Sequence, residues 1–150
     1  MTMKYAGLVA TVLVFAALAV GSTVVTAEPD PIAERKVLLK QMAGAVKDPA
    51  QMLKGAEPFN AAKVKEALAV VVTNAGKLPA LFPDTSKVGK TDALPKIWES
   101  KADFDVRFDK LGKDAAASIA SITDEASFKA AMPKVLGNCG ACHKEYKKPS

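Results

Sequence analysis

The chain has 150 residues, 49% of them hydrophobic and 25% charged, with two cysteines, one histidine and a formal charge of +5. That length fits one domain, or one domain behind a targeting segment. Two cysteines exclude a disulfide-dense mini-protein, the apolar content excludes a disordered chain, and the 21 Lys+Arg are scattered among 16 Asp+Glu rather than gathered into the stripe of a nucleic-acid binder.

The apolar residues are unevenly placed. Lys4 precedes 23 uncharged residues, Tyr5 to Ala27, whose centre is the run from Leu8 to Val20. The run ends in the small residues Val25-Thr26-Ala27 and turns abruptly to Glu28-Pro29-Asp30-Pro31. A positive start, an apolar middle and a small-x-Ala end describe a secretory signal peptide. The alternative is an uncleaved anchor, because such a length could just span a bilayer. The pattern predicts cleavage after Ala27, leaving a domain of residues 28–150 with a charge of +4, exported to the periplasm and without a stable membrane anchor.

The exported part reads as helices. Asp30 can cap a first helix that has Pro31 at its first position, where a missing N–H costs nothing. Ile32, Leu39, Met42 and Val46 follow the helical period, widened by Leu38 and Ala45, and Asp48-Pro49 is expected to interrupt them. Asn60 can cap a second helix, from Ala61 to about Ala75, with Val64, Leu68, Val71, Val72 and Ala75 inward and Gly76 as its stop. The stretch Leu78-Pro79-Ala80-Leu81-Phe82-Pro83-Asp84 predicts an irregular connection. A third helix is expected from Pro95, carrying Ile97, Lys101, Phe104, Phe108, Leu111, Ala115, Ile119 and Ile122 at the alternating spacing of a bundle seam. Asp124 can cap a fourth, with Phe128, Met132, Val135, Cys139, Cys142 and Tyr146 on one face and Pro133 expected to kink or divide it. Nothing alternates as a strand would outside these patterns. The expected fold is an all-α, antiparallel four-helix bundle.

The chemistry is concentrated in the last helix. Cys139-Gly140-Ala141-Cys142-His143 reads C-x-x-C-H, the attachment motif for c-type haem. Two thiols three residues apart share one side of a helix and can each add to a haem vinyl group, while the adjoining histidine can reach the iron. Gly140 and Ala141 are small enough to let a flat macrocycle approach. His143 is the only histidine, and the two cysteines of the chain are both in the motif. A structural zinc site needs four ligands and would have to be shared between subunits. A thioredoxin-like C-x-x-C follows a strand, and a disulfide across this helical spacing is awkward. One covalently bound haem c is the expected cofactor, with Cys139 and Cys142 as thioether residues and His143 as the axial iron ligand.

The placement of that motif, close to the C-terminus of a four-helix pattern, resembles the class II cytochromes c, the cytochrome c′ family. The resemblance covers nearly all of residues 28–150. It is carried also by Arg35 with Leu39 and Met42, by Pro58-Phe59-Asn60-Ala61-Ala62, by Leu78 to Pro83, by Pro95-Lys96-Ile97-Trp98, and by Gly137 with Tyr146-Lys147 around the motif. It implies a homodimer through the first two helices, with haem in the bundle core. It divides the possibilities by the sixth iron ligand. The position of the family's ligating methionine falls on Leu39, which cannot bind iron, implying five-coordinate, high-spin iron open to nitric oxide or carbon monoxide. Met42, three residues on along the same face, is the alternative sixth ligand and would make a six-coordinate, low-spin electron carrier. Arg35 resembles the family's propionate partner, and Lys36 stands where glutamine is common. Trp98, Phe104 and Tyr146 are expected to line the pocket or the core. Redox proteins and small diatomic gases are the implied partners. No second titratable group suggests an enzyme.

Overall fold

The computed structural model describes residues 30–149; the expected signal peptide lies outside the described residues. Six helices run α1 (Pro31–Ala45), α2 (Lys47–Leu53), α3 (Ala61–Lys77), α4 (Lys96–Glu99), α5 (Lys101–Ser121) and α6 (Glu125–Tyr146). The four long ones form the bundle: α1 packs on α3, α3 on α5 and α5 on α6, with α2 lying against α3 and α6. Among the described residues there is no strand, only an isolated antiparallel bridge between Ala93 and Lys147.

The caps are those the residue types predict. Asp30 Oδ1 accepts from Ile32 N–H at 2.8 Å and Asn60 Oδ1 from Lys63 N–H at 3.0 Å. At α6, Asp124 Oδ1 accepts from Ser127 N–H at 2.8 Å while Ser127 Oγ accepts from Asp124 N–H at 3.0 Å, a reciprocal capping box.

Four expectations about the helices need correcting. The first helix stops at Ala45, earlier than Asp48-Pro49, because a proline at 49 has no N–H for the carbonyl four residues back and crowds it; Pro49 itself then sits in the first turn of α2. Gly76 does not end α3, which runs on to Lys77 and tightens into a 3₁₀ turn over Leu78–Leu81. The expected third helix is two, since Ser100 leaves the helical region at φ −127°, ψ 44° between α4 and α5. Of the two outcomes expected at Pro133, division does not occur: α6 runs through it, and the proline faces solvent, where water can satisfy the carbonyl it leaves unpaired.

The core follows the predicted faces closely. Val64, Leu68, Val71 and Ala75 of α3, Phe104, Phe108, Leu111 and Ala115 of α5, and Phe128, Met132 and Val135 of α6 are buried together with Leu78, Ile97 and Ile122. Lys101 lies half-buried along this seam and donates Nζ to Pro79 O at 3.2 Å and to Asp105. Asn74, buried in α3, donates Nδ2 to Leu38 O and Gln41 Oε1, each at 3.1 Å, and so joins α3 to α1.

The α1 stripe behaves differently. Met42 is buried, but Leu38, Leu39 and Val46 are only half-buried, and the one fully enclosed long side chain of that helix is a charged one, Arg35. The face of α1 that should have closed on the fourth helix borders a cavity instead.

A surface network sets how α5 meets α6. Asp114 accepts from Asn138 Nδ2 at 2.9 Å and pairs with Lys110 and Lys134 at 2.5 and 2.9 Å. Lys110, Asn138 and Lys134 hold its carboxyl well below the usual carboxylate range. A depressed carboxylate stabilises the fold above its unfolded pKa, and that contribution is lost as pH falls through the folded value. Asp114→Asn should therefore cost about 1 kcal/mol at pH 7 in urea unfolding, with the difference from the parent shrinking below about pH 4. An undiminished difference at pH 3 would show that the charge of Asp114 is not what matters.

Candidate functional site

Between α1 and α6 lies a cavity of about 360 Å³ with a predominantly apolar lining. From α1 it receives Leu39 and Met42, with Val46 at that helix's C-cap; from α6, Val135, Leu136, Cys139, Cys142 and His143. Phe82, Phe104, Phe108 and Tyr146 also line it. Their rings form one assembly around Phe104, whose centroid lies 4.6 Å from Phe82, 5.1 Å from Phe108 and 5.2 Å from Tyr146, all near edge-to-face.

The motif sits where the helical period puts it. Cys139 and Cys142 are half-buried free thiols, and burial pushes both thiols up from their ordinary value, so they are neutral at pH 7. Partial burial, with help from Lys147, pulls His143 down from its ordinary value, which favours the neutral imidazole with a lone pair available to a metal. Arg107 of α5 borders the same wall: its Nε donates to Asp103 Oδ2 at 2.7 Å, its Nη1 reaches Ala141 O at 3.4 Å, and its guanidinium lies 5.4 Å from the Tyr146 ring centroid. Tyr146 donates its hydroxyl to the same Asp103 oxygen. The turn carrying the motif is thereby fixed to α5.

Arg35 closes one end of the cavity. It is 2% exposed, its Nη1 donates to Leu81 O at 3.2 Å and Ser86 Oγ at 2.8 Å, and its Nη2 donates to Ser86 O at 3.2 Å and Thr91 Oγ1 at 2.8 Å. The guanidinium also stacks 4.4 Å from the Phe82 centroid. All four of those acceptors are uncharged, so the wall keeps a net positive charge. The fork expected to grip a carboxylate is already committed to the loop; what it can still offer is Nε–H and its charge.

That loop, residues 82–95, is strapped to both neighbours. Leu94 N–H donates to Tyr146 O at 3.0 Å, Lys148 N–H donates to Asp92 O at 2.8 Å, and Lys36 donates Nζ to Lys90 O. Gly89 takes φ +126°, a conformation that favours glycine whatever the space, and a Cβ there would also come 2.9 Å from Ile32 Cδ1, the end of a side chain that would have to shift.

Among the residues singled out from sequence, Cys139, Cys142, His143, Arg35, Leu39, Met42, Phe104 and Tyr146 all border the one cavity. Trp98 does not. It packs behind Phe82, ring centroids 6.2 Å apart, and donates Nε1 to Phe82 O and Pro83 O, each at 3.1 Å, because an indole N–H in that place finds carbonyls of the loop. Sequence reasoning missed Phe82, Phe108, Thr91 and Arg107. Phe108 was legible as core by its spacing; Thr91 and Arg107 carried no local signal, since a distant partner chose them.

The residues fit a haem. An apolar slot, two neutral thiols and a neutral imidazole on one wall, and positive charge at the end suit a flat apolar macrocycle with anionic side chains. They do not suit a zinc site built by one chain: among the described residues no three His, Cys, Asp or Glu come together to hold a metal ion.

Comparison with known proteins agrees with the geometry. A family model described as Cytochrome C′ matches residues 30–147. A cytochrome c′ of Rhodopseudomonas palustris is 51% identical over 128 residues, covering 85% of this chain and 88% of that protein. A cytochrome c-556 of Agrobacterium fabrum is 37% identical over 148 residues, covering 98% of each. A solved structure of cytochrome c′ from Rhodopseudomonas palustris superposes with a TM-score of 0.80 at 50% identity, covering 82% of this chain and 99% of that one. The chain belongs to the cytochrome c′ family.

If Arg35 holds the loop to α1, Arg35→Met should leave Ser86 and Thr91 short of donors and cost about 2–3 kcal/mol, lowering Tm by roughly 10 °C in a thermal melt. Lys36→Met, which removes an exposed contact to the same loop, should change Tm by no more than about 2 °C.

Proposed function

We propose that this member of the cytochrome c′ family is a periplasmic carrier of one covalent haem c, with an iron face left open to small diatomic gases. The observation that supports it best is the make-up of the cavity walls: the C-x-x-C-H motif on α6, and Leu39, without a ligating atom, on α1. Cys139 and Cys142 would hold the group by thioether links, and His143 would be its one protein ligand to iron. Bound haem supplies a one-electron couple and a site for nitric oxide or carbon monoxide.

The remaining residues act on access and charge. Leu39 and Met42 cover the open face with apolar surface and present no hydrogen-bond donor, which disfavours water and leaves dioxygen without polar stabilisation. Val71, Phe108 and Leu111 behind them keep that face dry. Arg35 contributes a buried positive charge, and Lys36 an exposed one, at the end where propionates would be received.

A second reading has a specific observation in its favour. Met42 lines the same cavity as Leu39, and relatives named cytochrome c-556 share the fold family. A thioether on the iron would give a six-coordinate electron carrier. Against it, Met42 is only 7% exposed and belongs to the buried core cluster, whereas Leu39 is half-buried at the cavity wall. We therefore propose Met42 as packing over that face rather than as a ligand.

Two variants separate the readings. For protein exported with the haem-attachment machinery, the parent should carry one haem that survives denaturation, and Cys139→Ser/Cys142→Ser should lose it from the polypeptide in denaturing gels. The parent should bind carbon monoxide readily. Leu39→Met should weaken that binding by about tenfold or more, equal to about 1.4 kcal/mol of competition from the new thioether. Should Met42→Leu instead create carbon monoxide binding where the parent has none, the six-coordinate reading holds.

A further inference from the structure

We infer that the lysines around the cavity mouth form a docking face for an acidic electron-transfer protein. The inference rests on the haem reading above and adds where, and to what kind of surface, the electron passes.

The excess positive charge of the chain is unevenly distributed. Three segments meet at the mouth: residues 31–45, 82–96 and 143–149. Together they hold nine Lys+Arg against four Asp+Glu, whereas residues 46–81 hold five against three and residues 97–142 six against seven. The balance along α5 is local: Asp103, Asp105 and Asp109 pair with Arg107, Lys101 and Lys113 one turn away, and Asp114 with Lys110 and Lys134. At the mouth such compensation is thin. Asp84 is taken by Lys87 and Glu145 by Lys96, leaving Glu34 and Asp92 against Lys36, Lys40, Lys90, Lys144 and Lys148.

The fold brings these lysines together. Lys36 donates to the carbonyl of Lys90, Lys148 donates Nζ to Thr91 O at 3.1 Å, and the Ala93–Lys147 bridge sets the tail beside the loop. Lys144 is exposed next to His143, and Lys40 is exposed one turn after Lys36. Like charges gathered there repel one another, and hydrogen bonds to loop carbonyls use only Lys36 and Lys148 among them. Neutralising propionates accounts for the part of the rim that lines the cavity, Arg35, Lys36 and Lys147. It does not account for Lys90, Lys144 and Lys148, which stand outside the lining. A ring of exposed lysines around the entrance to a redox group offers a carboxylate-bearing surface both attraction and a short path.

The test uses the holoprotein and a plant-type [2Fe–2S] ferredoxin as an acidic one-electron donor. In each encounter one electron leaves the reduced cluster and reduces one ferric iron, with no proton required. The second-order rate for the parent should fall steeply with added salt. At low salt Lys90→Glu/Lys144→Glu should be slower by about tenfold or more. The control Lys54→Glu/Lys63→Glu has the same net charge but lies at the far end of the bundle, where Phe59 meets Phe128 near the start of α6; it should change the rate by less than about threefold. Carbodiimide cross-linking of the two proteins, mapped by peptide mass, should join ferredoxin carboxylates to Lys36, Lys90, Lys144 or Lys148. Equal slowing by both double variants, or cross-links spread to Lys54, Lys63 and Lys65, would overturn the docking face while leaving the haem reading intact. A colourless protein would overturn both.

Discussion

A buried guanidinium with only neutral acceptors holds the open side of this bundle together. Arg35 satisfies both Nη groups on Leu81, Ser86 and Thr91, so the loop after α3 is pinned to α1, and the same loop is bridged through Ala93 to the end of α6. Placing a charge there is costly unless every donor is met. With the loop in place, α1 and α6 can stand apart across an apolar slot without the structure falling open. The same guanidinium stacks on Phe82, which packs edge-on against Phe104 and gives its carbonyl to the Trp98 N–H, so the anchor, the aromatic cluster and the end wall of the cavity are contiguous.

The slot explains why the two helices that border it look imperfectly amphipathic. A helix packed on another helix buries its apolar stripe, as α3 does with Val64, Leu68, Val71 and Ala75. On α1 the stripe is half-buried because it borders the cavity, and on α6 the buried run Phe128, Met132 and Val135 gives way to half-buried thiols. The bundle is closed at the Phe59–Phe128 end and open at the other. Chemistry and surplus charge gather at the open end because that is where the helices need not touch.

Much of this was legible in the sequence. The capping residues Asp30, Asn60 and Asp124 and the seam from Ile97 to Ile122 follow local rules, which need no knowledge of partners. The motif at 139–143 is local too, and it named the cofactor chemistry before any fold was known. The misplaced boundaries have local causes as well, seen only with the backbone in hand: Pro49 acts on the carbonyl of Ala45 rather than at its own position, and Ser100 breaks a helix through its backbone angles. What stayed out of reach was long-range. Arg35 resembled a ligand to a carboxylate, but its Nη groups are claimed by residues about fifty positions away. Arg107 reads as an ordinary helix-surface charge until Ala141 and Tyr146 are placed beside it.

His143 as the sole protein ligand to the haem iron, with Leu39 over the open face, is what we propose for this chain. The low-temperature electron paramagnetic resonance spectrum of the oxidised holoprotein tests this most directly, because it reports the ligand field without an added gas. A predominantly high-spin ferric signal at neutral pH is the predicted result. A fully low-spin signal that Met42→Leu converts to high-spin would contradict it and would make Met42 the sixth ligand.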